Sequence, residues 1–304
     1  MTMLSQSLTR RRVLQGAVLG AGSAALFACG PDVYDGPGIF AGRVKDLPLD
    51  DLDAATWKMG LHSRIDLGPQ DLVLPQKLVA TVTSIRVTAL HDGTTIGFLL
   101  EWDDPDINDL TVRVDDFRDA CAVMLVAGAE DPALRTMGSA VQPATLLHWK
   151  ADWQRDVDQG RQGLDAAFPN RSIDVYPIVY DVPAADVTIE SYEAADATQW
   201  LPGVDVGNPL SAATRSSPVE KAIAYGFSTT TTASTQDVIG RGERTSNGWR
   251  VMISKPLSST DRGEVSMVPG STCTCAFAVW SGSDRDGGSR KQPSTTVHTL
   301  HVAA

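Results

Sequence analysis

Hydrophobic and polar positions alternate in short runs along this chain, a period of two that predicts β-strands. The first run covers 78–90, and a second covers 94–102. The His-Asp-Gly sequence at 91–93 separates them, and Asp-Gly accepts the positive φ angles of a tight turn. Pro105 and the acidic residues before it end the second run. The pattern therefore predicts a β-hairpin.

The later regular segments also have the strand pattern, and few have the 3.6-residue period of a helix. Short strands separated by turn residues favour an all-β fold. We therefore predict an antiparallel β-sandwich with few short helices. The predicted strands after the hairpin are 120–125, 145–149, 249–253, 272–280 and 295–302.

The first 28 residues predict an export signal that is not part of the fold. They contain a twin-arginine pattern, Thr-Arg-Arg-Arg-Val-Leu at 9–14, followed by an apolar stretch rich in Gly and Ala. This stretch is too short and too weakly hydrophobic for a spanning helix, which needs about 20 apolar residues. The pattern predicts export to the periplasm in a folded state.

Cys29 stands directly after the signal. The sequence Leu-Phe-Ala-Cys at 26–29 resembles a lipoprotein box, although Phe27 occupies a position where a small residue is usual. We predict that Cys29 is lipidated, which would make a lipid anchor the only contact with the membrane. The alternative is a plain cleaved signal.

The rest of the chain divides into two parts. Residues 29–70 are rich in Gly, Pro and acids and lack a sustained period, so we predict a tether and an edge segment. Residues 71–304 form the predicted sandwich domain. Within it, 156–236 has no clear periodicity over a long stretch and is predicted to be an irregular insertion.

Charge excludes one class of partner. The net charge is −11, and it becomes −14 when Arg10, Arg11 and Arg12 leave with the signal, because the first 28 residues contain no acid. Nucleic-acid binding needs a basic surface, so we exclude it. The acidity suits docking to a basic protein such as a soluble cytochrome, and it equally serves solubility alone.

Three cysteines follow Cys29 in the sequence. An oxidising compartment permits one disulfide, and Cys121 can pair with either Cys273 or Cys275 if their strands are neighbours.

Met137 is the first candidate for chemistry. Met137-Gly138 precedes the predicted strand 145–149, which ends in Trp-Lys-Ala-Asp-Trp at 149–153. A thioether held on a turn beside a sheet can bind haem iron. The plain alternative is a flexible side chain that fills a gap in the core. We interpret His148 as a structural residue.

Several phrases of the sequence resemble one family in their order along the chain. In chain order, they are VTALHDGTTIGFLLEWDDP, Met-Gly followed by a strand and WKAD, GWRVMISKPL, CAFAVWSGSDRDGGSRK and VHTLHV. They resemble the haem b-binding gamma subunit of the periplasmic type II dimethylsulfoxide reductase-family molybdenum enzymes. This group includes the ethylbenzene and dimethylsulfide dehydrogenases and the selenate and chlorate reductases. The resemblance covers most of 78–155 and 237–302.

The resemblance implies a haem b lodged between the sheets or at their edge. Met137 falls on the family's Met-Gly phrase, and Lys291 falls on the lysine after its Gly-rich loop, so these two are the implied iron ligands, with Lys255 as the runner-up. Apart from the resemblance, Trp149, Trp153 and Trp280 are candidate walls of the macrocycle, with Trp149 and Trp280 preferred, and the plain alternative for each is core or surface packing. A covalently attached c-type haem is excluded because the sequence contains no Cys-x-x-Cys-His.

The resemblance also implies a role. The chain would be a non-catalytic, electron-transfer subunit that relays electrons between an iron–sulfur subunit and an external carrier, with substrate chemistry on a molybdopterin subunit. Two alternatives stay open. One is an exported carbohydrate-binding lipoprotein of the same sandwich superfamily without haem, and the other is a haem-free relative with an assembly or scaffold role.

Overall fold

The computed structural model describes residues 38–128, 136–170, 202–212 and 214–304. The predicted signal, 1–28, and Cys29 lie outside these ranges. Within the described ranges, no helix has the length and apolar character needed to span a bilayer. The strands are β1 Ile39–Arg43, β2 His62–Asp66, β3 Ser84–His91, β4 Thr95–Asp103, β5 Ala120–Ala127, β6 Ala144–Lys150, β7 Val219–Ala224, β8 Thr231–Thr232, β9 Ile239–Arg244, β10 Gly248–Pro256, β11 Thr272–Trp280, β12 Gln292–Pro293 and β13 His298–Val302. The helices are α1 Ala55–Met59, α2 Ala151–Gln159, α3 Leu164–Ala167 and α4 Pro202–Asp205.

The strands form a continuous sheet that folds over into two facing layers. Its order is β8-β7-β6-β5-β11-β13-β1-β3-β4-β10-β9, with β12 beside β11 and β2 beside β3. The layers face each other because Trp149 of β6 packs edge-on against Trp102 of β4 and Trp249 of β10, with ring centroids 6.3 and 5.1 Å apart. The predicted all-β sandwich with few short helices is confirmed.

The first strand differs from the expectation of a tether and edge segment over 29–70. β1 lies inside the sheet, between β13 and β3, and runs parallel to both. Among the described pairs, the others are antiparallel. Ile39 and Ala41 are fully buried, so this short strand contributes to the core even though its neighbourhood in the sequence has no regular pattern.

The hairpin predicted around Asp-Gly is formed by β3 and β4. Gly93 has a φ of +96°, and Asp92 accepts hydrogen bonds from the Thr94 and Thr95 amides at 2.8 Å. The first strand is shorter than predicted, because it begins at Ser84 and leaves 78–83 in a loop.

β7 lies within 156–236, the predicted irregular insertion, and extends the sheet beside β6. Every residue of this strand is buried, including Glu220 and Lys221. Glu220 pairs with Lys150, and Lys221 Nζ lies 2.6 Å from Asp237 and 2.7 Å from Glu264. Two buried charges interrupt the apolar pattern, which is why the sequence alone did not predict a strand here.

Alternation of side chains gives β5, β6 and β11 two different faces. One face packs into the core between the layers and contains Cys121, Val123, Cys275, Phe277 and Leu147. The other face points away from the opposite layer and has its own small apolar clusters, which include Ala122, Met124, Ala276, Ala278 and Trp280. Residues on both faces are buried, and β5 is accordingly apolar along its whole length.

The disulfide prediction is wrong. Cys121, Cys273 and Cys275 are buried thiols. β5 and β11 are neighbours, as the prediction required, but Cys121 is paired in register with Val279, whereas Cys275 is paired with Leu125. Four residues of strand separate the two rows, about 13 Å, and a disulfide requires Cα atoms within about 7 Å.

Candidate functional site

A cavity of about 450 Å³ lies on the outer face of β5, β6 and β11. Its floor consists mainly of small or flexible side chains in two adjacent rows. His148, Ala122 and Ala278 form one row across the three strands, and Leu146, Met124 and Ala276 form the next. Alanines at the centre of a sheet face leave room above the backbone, so the floor can accept a flat apolar group.

Loops form the walls of this cavity. The walls come from segments 69–74 and 227–230, from the turn at Met137, and from segment 288–294, which contains Lys291. The core fills the space between the two layers. The cavity therefore does not lie between the sheets, which was one of the two placements predicted for the haem; the other was the edge of the sheets.

Met137 and Lys291 meet in this cavity. Lys291 Nζ lies 3.8 Å from Met137 Sδ. Trp280 lies beside them, with Lys291 Nζ 5.2 Å from the centre of its ring. Three of the four residues predicted to contact the cofactor therefore line one cavity.

Met137 is held by an unusual turn. Met137 and Gly138 are consecutive residues in the left-handed region, with φ of +67° and +76°. Gly138 is needed there because a Cβ atom would lie 2.7 Å from the Ala144 amide nitrogen. The Gly226 amide donates to the Met137 carbonyl at 3.1 Å. The backbone thus fixes the point from which the thioether extends into the cavity.

Lys291 differs from the other largely buried lysines. Lys77, Lys150, Lys221 and Lys255 are each at most 2% exposed and each pairs with a carboxylate. Within the described part of the chain, Lys291 forms no salt bridge, and its Nζ contacts the Met137 sulfur and the face of the Trp280 ring. A lysine that protein surrounds without a counter-ion is costly to keep charged.

Burial lowers the pKa of Lys291 to about 8. At pH 7 about one such side chain in ten is neutral, against about one in three thousand for an ordinary lysine. Only the neutral amine has a lone pair to give to a metal, so the cavity makes Lys291 a far better ligand than an exposed lysine would be.

Trp280 fixes the segment that bears Lys291. Its indole nitrogen donates to the Gly288 carbonyl at 3.0 Å. Its ring stacks on His148, with centroids 4.6 Å apart and an angle of 29°. His148 was interpreted only as a structural residue, yet it lines the cavity, and within the described chain its Nε2 has no hydrogen-bond partner. Burial, with Lys150, Arg118 and Lys291 nearby, holds the pKa of His148 well below its usual value, so the imidazole is neutral.

Two predicted residues lie elsewhere. Trp149 neighbours His148 in sequence, so its side chain points to the opposite face of β6, where it is fully buried in the core. We therefore reassign Trp149 from the macrocycle wall to the core. Lys255, the runner-up ligand, is also outside the cavity, because its Nζ lies 3.2 Å from Glu264 and donates to the Val265 carbonyl.

A thioether sulfur and a neutral amine nitrogen can each donate a lone pair to a metal, and Met137 and Lys291 would be the residues that hold it. Among the described residues, no group of three or more His, Cys, Asp or Glu side chains is arranged to hold a metal ion. The fold and the cavity thus define an all-β protein whose candidate ligands are one methionine and one lysine.

The chain belongs to the ethylbenzene dehydrogenase family, because the sequence model of that family matches residues 54–292. The match extends over the hairpin, the Met137 turn and Lys291. Among curated proteins, no relative matched the sequence.

Solved structures with a similar fold include two bacterial proteins. One is a family 9 carbohydrate-binding module from Caldicellulosiruptor kristjanssonii in complex with glucose, with 8% identity over 88% of this chain and 95% of that chain and a TM-score of 0.37. The other is a candidate carbohydrate-binding protein from Bacteroides uniformis, with 9% identity over 89% of this chain and 99% of that chain and a TM-score of 0.42. At this level of similarity, the ligands of those proteins do not bear on this one.

Proposed function

We propose that this chain is the haem b-binding, electron-transfer subunit of a periplasmic molybdenum oxidoreductase complex. Membership of the ethylbenzene dehydrogenase family supports this role in outline. The observation that carries the proposal is the contact, inside a largely apolar cavity, between Met137 Sδ and Lys291 Nζ, which forms no salt bridge with the described residues. Met137 and Lys291 would be the axial ligands.

The chemistry supplied by such a group is limited and specific. A haem iron with two protein ligands has no open position for substrate, so it passes single electrons. This agrees with a subunit that is not itself the enzyme. Substrate chemistry would belong to a molybdopterin subunit, and an iron–sulfur subunit would exchange electrons with this chain.

The residues around the cavity would prepare the ligands. The alanine floor and the side chains of Met124 and Leu146 keep water from Lys291, which makes the neutral amine accessible near pH 7. Trp280 holds the Lys291 segment through Gly288, and the left-handed turn holds Met137. Both ligands would be positioned before the cofactor binds, which lowers the entropic cost of binding.

Purification of the full-length chain with its native signal tests the proposal. We expect one haem b per chain and a Soret band that moves to longer wavelength on reduction. Met137→Leu and Lys291→Leu should each change the spectrum from six-coordinate low-spin to high-spin, because leucine cannot bind iron. Met59→Leu is the matched control, because it removes a thioether that is 74% exposed and does not line the cavity; its spectrum should stay as in the wild type.

Colourless protein that retains a polysaccharide would reject haem binding and favour the carbohydrate-binding alternative. Colourless protein without such retention would favour the scaffold alternative. An unchanged spectrum in Lys291→Leu would remove this lysine as a ligand.

The proposal includes export by the twin-arginine route and a lipid anchor at Cys29. Replacement of the arginines at 10–12 by lysine should retain the precursor in the cytoplasm. Cys29→Ser should release the mature protein from the membrane fraction; release of the wild type as well would show that no anchor forms.

A further inference from the structure

The loop from 70 to 79, which we call the rim loop, exposes an unusual set of apolar side chains. Leu72, Leu74, Leu78 and Val79 are 56%, 83%, 67% and 71% exposed. Single exposed apolar residues are ordinary, but four within eight residues form a patch of the kind that marks an interaction site.

The rim loop is tightly anchored. The side chain of Gln70, only 6% exposed, donates to the Val73 carbonyl at 2.9 Å and to the Ser289 carbonyl at 2.9 Å. Its Oε1 accepts from the Leu72 and Val73 amides at 2.8 and 2.9 Å. A loop whose backbone bonds are satisfied by a buried side chain keeps one conformation, so the leucines are presented to solvent on a fixed support.

A second set of contacts joins the rim loop to the segment that bears Lys291. Lys77, 2% exposed, lies 2.9 Å from Asp286, and Arg290 donates to the Gln76 carbonyl at 2.8 Å. Ser289 donates to the Leu74 carbonyl at 3.0 Å. The rim loop and the Lys291 segment therefore form one rigid border on the same side of the cavity.

The exposed apolar patch borders the cavity, and this position indicates the kind of partner that covers it. Leu72 and Leu74 line the cavity itself, so a molecule seated on them would also complete the cavity wall and cover the edge of any group inside. An acidic chain with a net charge of −11 is repelled by anionic lipid, and it suits a protein with basic surroundings. A rigid apolar patch loses little entropy on docking.

We infer that the rim loop is the docking surface for the protein that exchanges electrons with this cavity, a partner with an apolar contact face, basic surroundings and an iron–sulfur cluster. This inference rests on the proposed function. The partner would exclude water from the cavity mouth and would bring its own redox centre to the side of the cavity where Lys291 lies.

Photo-crosslinking in cells that make the whole complex tests the inference. The photoreactive residue p-benzoylphenylalanine replaces Leu74 in one variant and Val141 in the control, because Val141 is 87% exposed and lies outside the rim loop. We expect an adduct only from position 74, with a protein whose sequence, read by mass spectrometry, carries iron–sulfur cysteine ligands. An adduct with lipid or with a second copy of this chain, equal adducts from both positions, or no adduct would overturn the inference.

A charge-introducing pair provides a second measurement. Leu78→Asp with Val79→Asp, two rim-loop residues that do not line the cavity, should lower the amount of partner that copurifies by about tenfold or more, whereas Val141→Asp should leave it unchanged. The haem spectrum separates the two hypotheses. If the double variant loses the partner but keeps an intact spectrum, the docking surface is supported. If it keeps both the partner and the spectrum, the docking surface alone is overturned. A wild type without haem overturns the proposed function.

Discussion

Lys291 Nζ and Met137 Sδ lie 3.8 Å apart although 154 residues separate them in the sequence. The order of strands explains this contact. Met137 precedes β6 and Lys291 follows β11, and β5 lies between these two strands. Two strand spacings amount to about 10 Å, which two long unbranched side chains can bridge from opposite sides.

The first prediction concerns the cost of the unpaired lysine in haem-free protein. The pKa of Lys291 is lowered to about 8 by burial, from an ordinary value of 10.5. Between pH 8 and pH 10.5, the unfolded chain therefore binds more protons at Lys291 than the folded chain does. The free energy of unfolding consequently rises with pH across the window from about 8 to 10.5. We expect Lys291→Met to be more stable than the wild type by roughly 2 kcal/mol at pH 7, with less advantage at pH 10.5.

Urea denaturation of both proteins at several pH values measures this difference. Lys45→Met is the control, because the Lys45 side chain is 95% exposed, and its difference from the wild type should stay near zero throughout. An advantage of Lys291→Met that is constant from pH 7 to 10.5 would show that burial does not perturb this lysine.

The second prediction concerns the turn that presents Met137. Gly138→Ala should destabilise the protein by roughly 2–3 kcal/mol, because the new Cβ meets the Ala144 nitrogen at 2.7 Å and the Gln142 oxygen at 2.8 Å in addition to the positive φ. Gly160→Ala is the matched control. It has a similar φ of +83° and nothing within 4 Å, so it should cost about 1 kcal/mol. Equal costs in urea denaturation would show that the turn yields without strain.

Much of the fold could be predicted from the sequence because the signals are local. The Asp-Gly turn and the alternation on either side of it define the β3–β4 hairpin. The position of the cavity could not be predicted in this way. β5 is apolar on both faces, and a continuous apolar run does not indicate which face meets the opposite layer.

The candidate site was predictable in part. The resemblance selected Met137 and Lys291, and Trp280 was a candidate wall; the fold brings the three together. Trp149 was also selected, but its side chain points to the face of β6 opposite the one that Met124 and Ala276 share across the sheet. Which face each residue occupies depends on the register between strands, and this register is set by long-range pairing. No short-range signal distinguishes Gln70 as an anchor, because its partners at Ser289 and in the rim loop are remote or have no regular pattern.

The third prediction concerns the cysteines. Burial raises the pKa of the Cys273 thiol to about 12 and that of Cys121 well above its usual value, so neither is a thiolate at neutral pH. We expect no reaction of Cys121, Cys273 or Cys275 with a thiol reagent in the native protein and full reaction of all three in denaturant without reductant. A pair that reacts only after reduction would show that a disulfide forms despite the register.

The fourth prediction concerns the support of the rim loop. Gln70→Ala removes side-chain hydrogen bonds to five groups of the backbone and leaves the Leu72 and Val73 amides without their acceptor. A buried donor or acceptor without a hydrogen-bond partner costs about 1–3 kcal/mol. Local opening of the rim loop lets water satisfy these groups, so the loss of stability should be concentrated in the loop. We expect hydrogen exchange at these two amides to accelerate by about 30-fold or more, which corresponds to roughly 2 kcal/mol.

Gln76→Ala is the control on the same loop. Gln76 is half-buried and donates one solvent-exposed side-chain bond, to the Asp71 carbonyl at 2.7 Å, so its loss should change exchange by less than about threefold. Because Gln70 also bonds Ser289, two residues before Lys291, Gln70→Ala should further weaken haem retention, whereas Gln76→Ala should not. Faster exchange with unaltered haem retention would show that the rim loop and the lysine segment move independently, and equal effects of the two variants would show that Gln70 is not the anchor of the loop.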